Sequence, residues 1–72
     1  MQDRNNEITR RVLRGETMTS LAKEVGVTPT RIRQIVAKTC RRKNRKWFEA
    51  MPGGGLDLRW VREHKRVFFE DV

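Results

Sequence analysis

The sequence predicts an all-α protein: a small helical bundle with a three-helix core and a C-terminal amphipathic helix. Three observations predict it. Apolar residues recur at helical spacing in four separate stretches. An Asn, Thr or Asp able to cap a helix stands before each stretch. Glycines at Gly15, Gly26 and Gly53 to Gly55 separate the stretches.

The first helix is expected behind Asn5 or Asn6, either of which can accept a bond from a free N–H of the first turn, with residues 1–4 frayed. Ile8, Val12 and Leu13 form its inner stripe, and Gly15 ends it in a left-handed conformation. The second helix has Thr17 as N-cap and runs from Met18 to Val25. Its Leu21, Ala22 and Val25 share one face, and the small Ala22 permits a close helix crossing. Gly26 takes a turn conformation that would cost a residue with a Cβ about 1–2 kcal/mol. Val27 then inserts into the core.

The third helix has Thr28 as N-cap and Pro29 at its first position, where a missing N–H does no harm. Ile32, Ile35, Val36, Thr39 and Cys40 make its inner stripe; Thr30, Arg33, Gln34, Ala37, Lys38 and Arg41 lie opposite. Carried on in phase, that outer face would hold Phe48, so the helix should end or kink between Arg42 and Lys46, giving a helix over about 29–43. Trp47, Phe48 and Met51 form an apolar knot before the Pro52–Gly55 turn. The fourth helix follows, with Asp57 as N-cap and Leu56 packing on Val61 as a hydrophobic staple. Trp60, Val61, His64, Val67 and Phe68 give it one apolar face.

Seventy-two residues make a single domain, 1–72, with a small and marginal core. The net charge of +8 is localised. Residues 28–46 hold Arg31, Arg33, Lys38, Arg41, Arg42, Lys43, Arg45 and Lys46 and no acid, whereas the flanking segments sum to +1 and −1. A confined positive field of this kind attracts a polyanion, usually nucleic acid. Cys40 is the only cysteine, which leaves no intramolecular disulfide and too few ligands for a cysteine-based zinc site. With no membrane-length apolar run and no signal-peptide pattern, the chain reads as soluble and cytoplasmic.

Chemistry-bearing residues are few. His64 is the single histidine and lies on an apolar face, where a packed role is expected rather than a metal or proton-shuttle role. Ser20 has no histidine near it in sequence, Cys40 faces inward, and no paired carboxylates have useful spacing. Neither an enzyme nor a bound cofactor is expected.

The segment Met18 to Ile35 carries the pattern of a helix-turn-helix: alanine at its fifth place, glycine at its ninth, and apolar residues at the fourth, eighth, tenth, fifteenth and eighteenth. It resembles region 4 of bacterial sigma factors through Gly26, Val27, Thr28, Arg31, Ile32, Arg33, Gln34 and Ile35, continued by Ala37 and Lys38. The likeness spans a core over 5–46 and leaves 47–72 as a C-terminal extension. Pro29 and Thr30 stand where that family has the arginine and glutamate implicated in promoter reading. The resemblance therefore implies the fold and not the promoter specificity.

What it implies is a sequence-specific double-stranded-DNA-binding protein, a transcriptional regulator that inserts its third helix into the major groove. Thr30, Arg33 and Gln34 are the base-contact candidates. Thr28, Arg31, Lys38, Arg41 and Arg42 are the phosphate candidates, with Thr17, Thr19 and Lys23 weaker ones. Two alternatives stand beside this reading: a sigma-like adaptor acting through RNA polymerase or another protein, and a DNA-packaging or recombination accessory protein. The aromatic extension either completes the core or forms a homodimer or partner interface, for which Trp60, His64 and Phe68 are the candidates.

Overall fold

The computed structural model describes residues 2–53 and 55–72, with side chains from Arg4 onward. Met1 and Gly54, which belong to the expected frayed start and glycine turn, lie outside the described residues. The chain is all-α: α1 (Gln2–Leu13), α2 (Met18–Val25), α3 (Pro29–Lys43), α4 (Arg45–Glu49), α5 (Leu58–Glu63) and α6 (Lys65–Phe68).

Helix α1 starts at Gln2, upstream of the two asparagines expected to cap it. Neither acts as a cap. The Asn5 carbonyl accepts from the Thr9 hydroxyl at 2.8 Å, and Asn6 Oδ1 accepts from Arg42 Nη2 at 2.9 Å. The cap propensity of Asn6 is overridden by this tertiary bond to α3. Ile8, Val12 and Leu13 are buried as expected, joined by Thr9. Helix α1 closes with Gly15 N–H bonded to the Val12 carbonyl and Glu16 N–H to that of Arg11, with Gly15 at φ +114°.

The next two helices form where local capping places them. Thr17 Oγ1 accepts from Ser20 N–H at 3.1 Å to start α2. Gly26, at φ +84° and ψ +33°, ends it by donating to the Ala22 carbonyl. Thr28 Oγ1 accepts from Arg31 N–H at 3.1 Å and Pro29 opens α3. The inner stripe of α3 is buried throughout: Ile32, Ile35, Val36, Thr39 and Cys40. These residues join Leu21, Ala22 and the α1 stripe in one core, so α3 packs against both α1 and α2.

Asn44 is where the chain turns. Its Oδ1 caps α4 through Trp47 N–H at 3.2 Å, and its Nδ2 donates to the Val67 carbonyl at 3.2 Å. The expected C-terminal helix is present but broken at His64, whose φ of −112° and ψ of 26° leave helical geometry. Asp57 caps α5 as expected, accepting from Trp60 N–H at 3.1 Å. The break redirects the last residues so that Phe69 is buried between the cations of Arg10 and Lys43, 4.9 and 4.8 Å from its ring centre.

The extension completes the core. Met51, Leu56, Val61, Phe68 and Phe69 all belong to the buried cluster. Two polar ties fasten it to α1. Arg62 donates from Nε to the Val12 carbonyl and from Nη2 to the Glu16 carbonyl, both at 3.0 Å, capping the end of α1 with a cation. Arg10 pairs with Asp71 at 3.2 Å. Arg11 ties α1 to α2 by pairing with Glu16 at 2.7 Å and with Glu24. The Arg11 hydrogen bonds and positive charge hold both glutamates below the ordinary carboxylate range.

Two outcomes are expected. Arg62→Ala leaves two carbonyls at the end of α1 without their charged donor and lowers stability by about 2 kcal/mol in a urea titration, with an unchanged slope. The glutamate pairs act through pH. A carboxyl depressed in the folded state stabilises fully above its unfolded pKa, and that contribution is lost as pH falls through the folded value. Glu24→Gln should therefore be less stable than wild type at neutral pH, and the gap should close only as pH falls below the ordinary carboxylate range, read from urea midpoints across the range.

Candidate nucleic-acid interface

With its inner stripe buried, α3 offers the opposite side to solvent. Thr30, Arg31, Arg33, Gln34, Lys38, Arg41 and Arg42 are all exposed. At 100° per residue, Thr30, Gln34, Lys38 and Arg41 make a central crest, and Arg45 of α4 follows them. Arg31 and Arg42 lie on the flank toward α1. Arg33 lies on the other flank, beside Ala37, where the chain ahead of α5 approaches.

Most of the acids that form ion pairs do so elsewhere. Arg10, Arg11, Arg14 and Arg59 pair with Glu7, Glu16, Glu24, Glu63 and Asp71. Of the eight cations in residues 28–46, only Arg45 forms an ion pair among the described residues, with Glu49 at 2.6 Å. Arg33 donates to the Leu56 carbonyl at 2.6 Å and Arg42 to Asn6, bonds that fix their positions without cancelling their charge. Lys43 is directed to Phe69, away from the crest. The positive field of α3 is therefore uncompensated on its exposed side.

The base-contact candidates do not stand alike. Thr30 and Gln34 are on the crest and have no hydrogen-bonded side-chain partner among the described residues. Arg33 is held to the flank by Leu56, a contact with no signal in the sequence because its acceptor is a backbone carbonyl. Among the phosphate candidates, Thr28 uses its oxygen to cap α3 and keeps its hydroxyl proton; Arg31, Lys38 and Arg41 are uncommitted among the described residues. Thr17, Thr19 and Lys23 are exposed on α2, with the Thr17 oxygen capping that helix. Arg45, not singled out in the sequence, extends the crest and lines one surface hollow with Lys38, Arg41 and Arg42.

The partner-interface candidates need one correction. Phe68 is 3% exposed and belongs to the core, so it presents no surface. Trp60 and His64 are half-buried and stacked on each other at 4.3 Å, with Trp47 5.4 Å from the His64 ring. His64 Nδ1 lies 2.8 Å from the Trp60 carbonyl; since a carbonyl only accepts, Nδ1 carries the proton. The imidazole is a packing and helix-end group. No cluster of three or more His, Cys, Asp or Glu placed to hold a metal exists among the described residues.

No protein-family model, curated protein or solved structure matches the chain. Among the described residues no helix is long and apolar enough to cross a membrane.

Cys40 sits wholly inside the core, and burial pushes its thiol up to about 12. A thiol reagent at neutral pH should leave it unmodified in the folded protein and label it on addition of urea. Labelling at the rate of a free thiol under native conditions would show that α3 does not stay packed.

Proposed function

We propose that this protein binds double-stranded DNA by placing α3 in the major groove, as a sequence-specific regulator of the kind that the sigma-region-4 resemblance implies. The observation that carries the reading is the uncompensated cationic face of α3. Its inner side is buried, its outer side is exposed, and among the described residues only Arg45 of its surrounding positive segment pairs with an acid. An α-helix with such a crest matches the width of the groove.

Roles follow from position. Gln34, central on the crest, has the amide pair that reads the N6/N7 edge of adenine, and Thr30 offers a methyl for thymine. Arg31 and Arg42, on the α1 flank, with Lys38, Arg41 and Arg45, serve phosphates. The Thr30 N–H at the start of α3, with the Thr28 hydroxyl, suits a further phosphate, since the Arg31 and Ile32 N–H groups are already bonded to Thr28. Pro29 supplies no donor, so base reading starts at Thr30.

The test is duplex binding across a salt series. About five phosphate contacts give a log–log slope of about −4.5. Absence of duplex binding at low salt would sink the reading. Gln34→Ala should reduce discrimination at one base pair by about 1–3 kcal/mol while keeping the wild-type salt slope, measured on duplexes selected from a random pool and their single-position variants.

A further inference from the structure

Lys38, Arg41 and Arg42 near the end of α3 and Arg45 at the start of α4 line one shallow hollow of about 430 Å³, and no acid lines it among the described residues. Lys38 and Arg41 have no ion-pair or side-chain hydrogen-bond partner among the described residues, and Arg42 donates to Asn6 Oδ1, a neutral acceptor. Of the four, Arg45 alone is neutralised. Its Nε donates to Glu49 Oε1 at 2.6 Å. Glu49 is the only acid between Glu24 and Asp57 in the sequence, and it borders a second hollow that Arg41 also lines.

The fold itself has little use for this pair. The Arg45 and Glu49 side chains keep 71% and 56% of their surface exposed, and the pair spans only α4. An exposed pair of this kind adds little stability. Its order also opposes the helix. Arg45 is the first residue of α4 and Glu49 the last, so each charge sits at the end of the backbone dipole that repels it. What the pair does alter is the field, because it cancels one of the four cations of the hollow.

We propose that Glu49 is a built-in competitor of the DNA backbone: it occupies Arg45 in the free protein, and a backbone phosphate takes Arg45 from it on binding. The inference rests on the DNA-binding reading above and extends it to what limits the strength of binding. A phosphate offers a guanidinium the same kind of charged oxygen acceptors as a carboxylate. The exchange therefore trades one charge-assisted bond for another, and it leaves a freed carboxylate beside a polyanion. Arg45 gains less from DNA than an uncommitted cation such as Arg41. The contact is to the backbone, so the restraint applies equally to every sequence.

Four variants test this: Glu49→Gln, Arg45→Gln, the two combined, and Glu63→Gln. Each is measured for Tm and, well below it, for binding to several duplex sequences over a salt series. Glu63→Gln is the control. Glu63 pairs with Arg59 in the same i, i+4 order and its loss changes the net charge equally, but the pair lies on α5, outside the cationic segment. Glu49→Gln should keep the wild-type Tm and bind every duplex about fivefold more tightly, with a salt slope steeper by at most about 0.9. Glu63→Gln should bind as wild type does. Arg45→Gln should cost little affinity in the wild-type background and about fivefold more when Glu49 is already Gln. A Glu49→Gln affinity no higher than that of Glu63→Gln overturns the proposal. So does a gain that persists in full without Arg45, or one confined to a single sequence. Wild-type protein that binds no duplex at low salt defeats the DNA reading and this inference with it, an outcome distinct from duplex binding indifferent to Glu49.

Discussion

Burial of the inner stripe of α3 is the interaction on which the rest of the structure depends. Ile32 and Val36 have no exposed surface, and Ile35, Thr39 and Cys40 are nearly as deep. The helix is held from α1 and α2, and α4 continues from its end. A short chain can build only one such core. Once one side of α3 is committed to it, helical geometry leaves the other side to solvent, because residues 180° apart cannot both face inward. The exposed crest is thus a consequence of the core. Its composition is not. Nothing in the packing requires Lys38, Arg41 and Arg45 to be cations with so few neighbouring acids.

Charge is sorted in a way that separates holding the fold from presenting a field. Arg10 and Arg11 of α1 pair with carboxylates, and Arg62 donates to the carbonyls of Val12 and Glu16 at the end of α1. These contacts join α1 to α2 and to the extension, places where an unpaired cation would repel its neighbours. Arg31, Lys38, Arg41 and Arg42 of α3 face outward, where water solvates them at little cost. They repel one another, and that repulsion is relieved by any polyanion that approaches. Binding of DNA, on the proposed reading, would therefore also stabilise the fold.

Much of this was legible in the sequence where the signal is local. Thr17, Gly26, Thr28 and Asp57 each act within four residues of themselves, and each caps or ends the helix that its position announces. The inner stripe of α3 was legible for the same reason, since period alone defines it. Asn5 and Asn6 misled because a cap signal competes with tertiary bonds, and Asn6 is used by Arg42, far along the chain. The break at His64 was hidden because Trp60, Val61, His64, Val67 and Phe68 keep a helical period across it. Arg62 and Arg33 were unreadable as ties, since both end on backbone carbonyls and every residue has one. The site was legible as a charged segment, and its division into crest and flanks was not, because that depends on where the extension lies.

The extension answers the question its aromatic residues pose. Phe68 and Phe69 are core, and Trp60 is stacked against His64. Among the described residues only Trp47, at 40% exposure, is a large apolar group turned substantially to water. Single exposed apolar residues are ordinary on a protein surface, so these aromatics are accounted for largely by folding. What the extension presents to the outer side of α3 is its turn. Met51 and Leu56 anchor the turn in the core, Arg33 fastens it to α3, and the bare backbone of Gly55 lies between those anchors along the cationic helix. The turn therefore bears on which part of the outer face of α3 stays open, because Arg33 is drawn to it while Thr30, Gln34 and Lys38 carry no such tie among the described residues.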